Sequence, residues 1–572
     1  MPAFVHPYPP LFPITLAPAP GPRRELFAQA RRIDGWGPRA WREVMGGWQL
    51  DGCLVSFSEQ EPGDGDGEDV SIVVAVTGHT LGADDATATC DWVLRHCWAE
   101  LLAAPAIQVR THAPGAAVRA TNACWFQAAV AGQKAALCLR LEAVLPLAGM
   151  CCDGKRLIRF LRQLEAFAAG LCARRRRSGL LAHRQAVAVQ RALRAALPAH
   201  GLVAFLGSGA LLARDADDRP AAHCRPLRVP AAARVTIDLG PLGRRRGLGI
   251  RRGVTAVAGA PYHGKSTLLH AIAAGAVDHP PGDGRELVVA DPSLLAVQAE
   301  DGRRIKDQDL SAFFARLPGA DSARFATTRA SGATSMAASV LQGVAAGCRL
   351  LLVDEDSAAS NFLSVDAGMR RLLGPALRGT TTLLEVLPDL AAHGVSTVLV
   401  AGSHLASLAG ASRVLVMDHF QPRDATRRAA AALRAGGLDA PARRTAVALR
   451  VPERRFADGA DCLLGPRHFL GVDAREPERP MVDGQRLDLR RSGWDLDADL
   501  ARGACAAAAW VCRLAAGDGI TLAAARERWQ AFVADHGIRG CDPFDTALLA
   551  LPPWQLVVTA LERLERPRLV CG

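Results

Sequence analysis

The chain has 572 residues, of which 49% are hydrophobic and 22% charged, and its formal net charge is +11. These proportions exclude a disordered or low-complexity chain and predict a globular protein of about two to four domains. The most apolar stretches, 136–150 and 504–516, are shorter than the ~20 residues of a membrane-spanning helix and contain charged side chains, which excludes a membrane-embedded transporter subunit.

The cationic residues are unusual because only four of the 68 are lysines, namely Lys134, Lys155, Lys265 and Lys306. A lysine retained in such a chain indicates a position that needs a compact ammonium group. The fifteen cysteines include no C-x-x-C pair, and no histidines stand at zinc-finger spacing, so we expect core cysteines in a reducing compartment. The proline-rich first 24 residues do not resemble a secretory signal, and we expect a cytoplasmic protein, with an organellar location left open.

Composition and periodicity divide the chain into a proline-rich tail and three domains. The predicted divisions are the tail at 1–24, an α+β N-terminal domain at 25–230, a central α/β domain at 231–430 and a mostly helical C-terminal domain at 431–572. In chain order, the patterns predict a helix at 24–35, strands at 53–57 and 71–76, helical structure at 156–197, a hairpin of 202–205 with 211–213, and a helical end at 498–564.

The central domain begins with a phosphate-binding motif. A short apolar strand at 254–258 leads into the segment 259–267, GAPYHGKST, which fits G-x-x-x-x-G-K-[ST] completely and is followed by a helix to Ala274. Small residues let the backbone N–H groups of such a loop point inward at phosphate oxygens, and the helix N-terminus faces the same anion. Lys265 would reach the β- and γ-phosphates, and the Ser266 hydroxyl would bind Mg²⁺. The predicted ATP-binding residues of this loop are Gly259, His263, Gly264, Lys265, Ser266 and Thr267.

A second group of polar residues follows an apolar strand at 350–353. Asp354, Glu355 and Asp356 stand where an α/β sheet presents its ligand-binding edge, at the carboxyl end of the strand. We expect Asp354 to bind Mg²⁺ and Glu355 to orient or deprotonate the attacking water. A solvated turn or helix cap is the structural alternative for three acidic residues in this position.

Between these two segments, Ser331 and Gly332 precede a helix predicted at 336–346. A Ser-Gly pair at a helix start can bind an anion, and it can equally serve as a simple N-cap. Local sequence does not separate the two interpretations.

The chain contains a phosphate loop, then a helix that begins with Ser-Gly, and then a strand that ends in Asp-Glu. In this order of motifs the chain resembles the ABC-class ATPases. The chain is more similar still to the soluble predicted ABC-class ATPases, a family with a single nucleotide-binding core and no membrane domain. The similarity is densest between 201 and 424 and also includes residues near the start of the chain. The segments that carry it are 31–35, 201–205, 262–269, 281–286, 299–303, 330–332, 354–362 and 394–397.

This resemblance implies an ABC-type P-loop NTPase core, of α/β class, flanked by an α+β N-terminal domain and a mostly helical C-terminal domain. It makes Ser331 and Gly332 signature residues that close over the nucleotide of a second subunit, with Ser331 in a catalytic role. Gln298 becomes a metal-binding residue of the Q-loop, with a plain exposed glutamine as the alternative. Asn361 takes the D-loop position. His404 lies about where a switch histidine is expected, although a surface or core histidine fits its position equally well.

The leading hypothesis is Mg²⁺-dependent ATP binding and hydrolysis at two composite sites of a homodimer, with Glu355, Lys265 and Ser331 as catalytic residues. One chain contains one phosphate loop, so two chains or a partner are needed to complete an ABC-type site. The alternatives are an ATP-gated dimeric binding module or scaffold that does not hydrolyse ATP, and a P-loop kinase. Arginine runs at 174–177, 244–246 and 251–252 make RNA or another nucleic acid a candidate partner, and solvated protein surface is the alternative for them.

Overall fold

The computed structural model describes residues 20–59, 69–79, 81–82, 85–98, 103, 105–128, 135–173, 179–377, 379–402, 404–438, 449–451, 453–457, 470–471, 476–482, 484–515, 519–542, 547–565 and 569–571. Most of the predicted proline-rich tail and the arginine run at 174–177 lie outside these ranges. The chain forms two compact units, one of residues 1–185 with 532–551 and the other of residues 186–531 with 552–572. None of the described helices is long and apolar enough to cross a membrane.

The first unit is an antiparallel sheet with helices. Its sheet has the order β1-β2-β3-β6-β4, and β5 also pairs with β6. Its helices are α1 Arg23–Arg32, α2 Ala86–Trp92, α3 Gly154–Cys172 and the first part of α4 Leu180–Ala196. Its strands are β1 Gly46–Leu50, β2 Cys53–Glu59, β3 Asp69–Thr77, β4 Gln108–Arg110, β5 Cys124–Gln127, β6 Ala136–Val144, β7 Leu147–Ala148 and β8 Cys151–Cys152.

Helix α3 shows why this unit folds as it does. Its apolar residues recur at helical spacing, and Leu157, Phe160, Leu161 and Leu164 are fully buried in a core shared with the sheet. Asp153 caps the helix, because its side chain accepts a hydrogen bond from the backbone N–H of Arg156 at 2.9 Å. The strands predicted at 53–57 and 71–76 are present as β2 and β3, which pair with each other.

The second unit contains two larger sheets, of orders β10-β11-β9-β13 and β14-β17-β18-β12-β19-β20. Its strands begin with β9 Leu202–Gly207, β10 Arg234–Asp238, β11 Arg244–Arg251, β12 Val254–Gly259, β13 Val288–Ala290, β14 Leu295–Val297, β15 Ile305–Gln308 and β16 Phe325–Thr327. They continue with β17 Leu350–Asp354, β18 Ser396–Ala401, β19 Arg413–Asp418, β20 Gln421–Asp424, β21 Arg454–Phe456, β22 Leu470–Gly471, β23 Met481–Val482, β24 Gln485–Arg486 and β25 Leu569–Cys571.

The remaining helices of this unit are α5 Lys265–Ala274, α6 Gly332–Ala345, α7 Ser360–Leu363, α8 Ala367–Leu373, α9 Leu383–Ala392, α10 Thr426–Ala435, α11 Ala498–Ala515, the first part of α12 Leu522–His536 and α13 Trp554–Arg563. In the six-stranded sheet, β12, β14, β17, β18 and β19 are parallel and β20 is antiparallel to β19. The carboxyl ends of the five parallel strands therefore meet at one edge of the sheet, which is where such sheets bind ligands.

One prediction needs correction. The expected hairpin of 202–205 with 211–213 is wrong, because β9 pairs with β11 and β13 while residues 211–213 form no strand. The boundaries at 230 and 430 stay predictions, and the two compact units divide the chain at other positions, after residue 185 and at both ends of residues 532–551. Strand β9 belongs to the second unit through these pairings, and Glu562 of α13 is joined to that unit by a buried ion pair with Arg454.

Candidate nucleotide-binding site

The phosphate loop lies between β12 and α5, at the carboxyl edge of the parallel sheet. Two of its glycines allow a very close approach of β19 and of the turn that connects β19 to β20. A Cβ atom at Gly264 would lie 2.6 Å from Cδ1 of Phe420, and one at Gly259 would lie 2.7 Å from the carbonyl oxygen of Met417. Gly264 also has φ of +92°, a conformation that glycine adopts at little cost. The loop therefore requires glycine at both positions.

Lys265 is buried beneath this loop, with 8% of its surface exposed. Its ammonium group donates hydrogen bonds to the carbonyl oxygens of Gly259 at 2.9 Å and Ala260 at 3.1 Å. The cation thus lies directly under the loop backbone that would hold a phosphate group. A forked guanidinium would need more room, which accounts for a lysine in this arginine-rich chain.

Ser266 and Asp354 are brought together by the sheet although they are far apart in the sequence. Asp354 ends β17 and Ser266 lies in the first turn of α5, and the Ser266 hydroxyl donates a hydrogen bond to Oδ2 of Asp354 at 2.7 Å. The other carboxylate oxygen of Asp354 accepts the backbone N–H of Asp356 at 3.1 Å. A hydroxyl and a carboxylate are hard oxygen donors, and this pair suits Mg²⁺.

Glu355 contacts the segment that follows β18. Its Oε2 accepts the backbone N–H of Gly402 at 2.6 Å, and its Oε1 lies 3.1 Å from Nδ1 of His404. The Glu355 side chain is only 14% exposed, whereas that of His404 is 72% exposed. The sequence left the role of His404 open, and the structure places its ring on the carboxylate of Glu355.

Gln298 lies at the same edge of the sheet. Strands β14 and β17 are parallel, and Val297 is paired with Val353. Gln298 therefore follows β14 at the level where Asp354 ends β17, and it is half-buried there. The register brings Gln298 next to Asp354 without fixing where its amide points.

Ser331 and Gly332 begin α6. The Ser331 hydroxyl caps the helix by accepting the N–H of Thr334 at 3.3 Å, and Ser331 itself is exposed. Gly332 is buried, and a Cβ atom there would lie 3.2 Å from Cβ of Ala299 and 3.4 Å from Cβ of Ala359. The helix start thus packs against the residues that follow Gln298 and those that follow the acidic turn.

The β19–β20 turn contributes residues that the sequence analysis did not identify. The backbone N–H of His419 donates to Nδ1 of His263 at 3.3 Å. The backbone N–H of Phe420 donates to the carbonyl oxygen of His263 at 3.0 Å. A hydrogen bond from His419, together with the nearby charge of Arg423, lowers the pKa of Asp418. No local motif marks this turn, because its contact with the phosphate loop forms only in the folded sheet.

Comparisons with known proteins include one uncharacterized relative. The chain is 32% identical over 182 residues to the uncharacterized protein MJ1628 of Methanocaldococcus jannaschii, a match that covers 30% of this chain and 39% of that relative. The chain therefore matches about two fifths of the length of that relative.

Two solved ABC transporters also show similarity. One, assigned to the metal-chelate type and in an inward-facing conformation, is 14% identical with a TM-score of 0.23, covering 40% of this chain and 84% of that chain. The other, a bacterial Atm1-family exporter with ATP bound, is 15% identical with a TM-score of 0.24, covering 50% of each chain. The family model described as the ABC_ATPase P-loop domain matches residues 176–450. This match spans just under half of the chain and includes the phosphate loop and the strand that ends at Asp354.

Proposed function

We propose that the chain binds Mg²⁺-ATP on the phosphate loop and hydrolyses it. The observation that carries the proposal is the 2.7 Å hydrogen bond between Ser266 and Asp354, at the same sheet edge as the Glu355–His404 pair. Phosphoryl transfer to water requires a loop that binds phosphate, oxygen ligands for a metal ion, and a carboxylate held in position beside the water.

Lys265 and the loop glycines would bind the nucleotide. The loop backbone and the N-terminus of α5 supply donors to the phosphates, and the Lys265 ammonium would exchange its contacts with the carbonyls of Gly259 and Ala260 for phosphate oxygens. His263 and Thr267 complete the loop. Ser266, Asp354 and Gln298 would hold Mg²⁺, which neutralises the charge of the phosphates when it is bound.

Glu355 would orient the attacking water or accept its proton. Its carboxylate is fixed by the N–H of Gly402 at 2.6 Å and by the ring of His404 at 3.1 Å. A general base must be held within hydrogen-bond reach of the proton that it takes, and two contacts on separate oxygens restrict the rotation of the carboxylate. His404 is therefore proposed as the residue that positions Glu355.

The composite site would be completed by a second copy of the chain. Ser331 is exposed while its neighbour Gly332 is packed against Ala299 and Ala359, so the capped start of α6 lies at the surface. A Ser-Gly helix start at the surface can meet the phosphates bound by another subunit. We propose a head-to-tail homodimer that ATP closes, with Ser331 and Gly332 acting on the partner's nucleotide.

Coupling to RNA is a further part of the proposal. Arg246, Arg251 and Arg252 are exposed on β11 and just beyond it, where they can follow a phosphate backbone. Arg244 is less available, because its Nε lies 2.9 Å from Asp238. A nucleic acid is therefore proposed as the effector of the ATPase rather than as its substrate.

The test is ATP hydrolysis by the purified chain beside Lys265→Ala and Glu355→Gln, with and without single-stranded RNA. We expect turnover in the wild type only, loss of ATP binding in Lys265→Ala, and an ATP-dependent dimer that accumulates in Glu355→Gln. If the wild type and Glu355→Gln show equal, negligible turnover while ATP still binds and drives dimerisation, the ATPase proposal is wrong. The chain would then be a nucleotide-gated scaffold. If RNA leaves the turnover unchanged, only the proposed coupling to RNA is rejected.

A further inference from the structure

The phosphate loop and the β19–β20 turn bring together two histidines and a carboxylate, here called the rim cluster: His263, Asp418 and His419. One ligand atom from each of the three lies within 4.8 Å of the others. Nδ1 of His419 lies 2.7 Å from Oδ1 of Asp418, and Nδ1 of His263 lies 3.6 Å from the same oxygen. Three donor atoms from two segments of the chain therefore converge on one small volume.

The spacing of these atoms suits a single metal ion. Two ligand atoms that are each about 2.1 Å from a tetrahedral ion lie roughly 3.4 Å apart. The two distances measured from Asp418, 2.7 Å and 3.6 Å, lie on either side of that value. Small side-chain rotations would thus place all three donors around one ion.

The donor set selects the class of metal. Imidazole nitrogens with one carboxylate oxygen suit Zn²⁺ and related transition-metal ions, whereas Mg²⁺ prefers oxygen ligands alone. The His419 side chain is 74% exposed, which gives an ion access from solvent and leaves room for a water as the fourth ligand. The rim cluster therefore differs in chemistry from the Ser266–Asp354 pair.

The surroundings hold the cluster in place before any ion binds. Arg423 lies 2.6 Å from Oδ2 of Asp418, so the carboxylate turns its other oxygen toward the two rings. The backbone N–H of His419 lies 3.3 Å from Nδ1 of His263, a contact that an ion bound to that nitrogen would replace, and the N–H of Phe420 donates to the carbonyl oxygen of His263, which ties the turn to the phosphate loop. Partners that orient a ligand in this way support metal affinity.

The turn also has an unusual backbone. His419 and Phe420 have φ of +48° and +63°, and Tyr262 beside His263 has φ of +61°. Among the residues that the structure describes, only Asp218 and Asp307 are further non-glycine residues with positive φ. Such conformations are costly and persist where the surrounding contacts hold them, frequently at functional sites.

We propose that His263, Asp418 and His419 form a binding site for a divalent transition-metal ion of the Zn²⁺ class, which clamps the β19–β20 turn to the phosphate loop. Because the site combines residues from both segments, an ion there cross-links the rim of the nucleotide site. This proposal goes beyond the ATPase function and does not depend on it, since the cluster is complete without nucleotide.

The test is Zn²⁺ binding by the full-length, untagged, nucleotide-free chain in excess Mg²⁺, measured by titration calorimetry. His419→Asn and Asp418→Asn each remove one ligand, and asparagine tolerates positive φ at position 419. We expect each variant to lose Zn²⁺ affinity by about tenfold or more. Circular dichroism establishes that the variants are folded.

The matched control is His393→Asn. His393 is exposed and precedes β18, at the edge of the sheet opposite the phosphate loop, so its loss should leave Zn²⁺ affinity unchanged. Substituting Co²⁺ for Zn²⁺ provides a second readout, because its absorption changes when an imidazole ligand is removed. The proposal is wrong if both rim variants bind Zn²⁺ as tightly as the wild type does, or if the control loses as much Zn²⁺ affinity as they do. The cluster would then be only a hydrogen-bonded turn.

Discussion

His404 Nδ1 lies 3.1 Å from Oε1 of Glu355, although 49 residues separate them in the sequence. The pairing follows from the parallel arrangement of β17 and β18, in which Asp354 is paired with Val400. Glu355 therefore follows β17 at the level where the chain leaves β18 toward Gly402 and His404. The acidic turn is thus held by the neighbouring strand instead of being freely solvated.

We predict that Glu355→Gln lowers kcat for ATP hydrolysis by about 10²–10⁴-fold, because an amide cannot accept the proton of the attacking water. ATP affinity should change little, since the phosphate loop and Asp354 are untouched. Steady-state turnover and equilibrium ATP binding measure the two effects. A variant that keeps near-wild-type kcat would show that another group performs this step.

We predict that His404→Ala lowers kcat by up to about 100-fold, because Glu355 loses one of its two positioning contacts. The same substitution in the Glu355→Gln background should cause little further loss, since residues that act as a unit are not additive. Turnover of the two single variants and the double variant tests the coupling. Additive losses would place His404 in a separate role.

We predict that Gly264→Ala destabilises the chain more than Gly302→Ala does. Both glycines have positive φ, +92° and +84°, so both substitutions carry a similar backbone cost of about 1 kcal/mol. Only at Gly264 does the new Cβ meet a neighbour, Cδ1 of Phe420 at 2.6 Å, whereas nothing lies within 4 Å at Gly302. Urea unfolding midpoints compare the variants, and equal shifts would argue against the close approach.

Much of the nucleotide site was predictable because its signals are local. A glycine-rich segment after an apolar run predicts β12, the loop and α5, and an apolar run that ends in acids predicts β17. The proximity of Ser266 to Asp354 follows from one further rule, that carboxyl ends of parallel strands meet at one sheet edge. The structure confirms these elements within a few residues.

Non-local contacts could not be predicted in the same way. Strand β9 pairs with β11 and β13, whose residues come much later in the chain, and the sequence offered Leu211–Ala213 as a nearer partner. The two-residue turn of His419 and Phe420 lacks the glycine or asparagine that usually marks positive φ. The rim cluster joins His263 to Asp418 and His419, which lie 155 and 156 positions further along the chain, so no spacing pattern indicates it.

We predict that Glu562→Ala destabilises the second unit by about 3–5 kcal/mol, because it leaves the buried charge of Arg454 without its partner. The two side chains are 1% and 0% exposed, and Nη2 of Arg454 lies 2.9 Å from Glu562 Oε1. Replacing Glu562 by Leu and Arg454 by Met in the same variant should recover most of the lost free energy of unfolding. Urea unfolding measures both effects, and the exposed pair Arg244–Asp238 supplies the control, since Asp238→Asn should leave the midpoint nearly unchanged.

We predict that Lys306 makes stability rise with pH in the alkaline range. Burial lowers its pKa from 10.5 to about 8, although its ammonium group donates to the carbonyl oxygens of Leu561 at 3.2 Å and Leu564 at 2.6 Å. Between about pH 8 and 10.5 the unfolded chain binds a proton at Lys306 that the folded chain has released. Stability therefore increases with pH across this window. The cost of burying the charged ammonium group is fully present only below about pH 8, where Lys306 is protonated in the folded chain.

The measurement is urea unfolding of the wild type and Lys306→Met at several pH values from 7 to 10.5. Other titrating groups contribute equally to both proteins, so the difference in their pH dependence isolates Lys306. We expect the free energy of unfolding of the wild type to gain on that of the variant as pH rises through this range. Parallel curves would show that Lys306 has the same pKa in the folded and unfolded chains, and that its two carbonyl contacts fully compensate its burial.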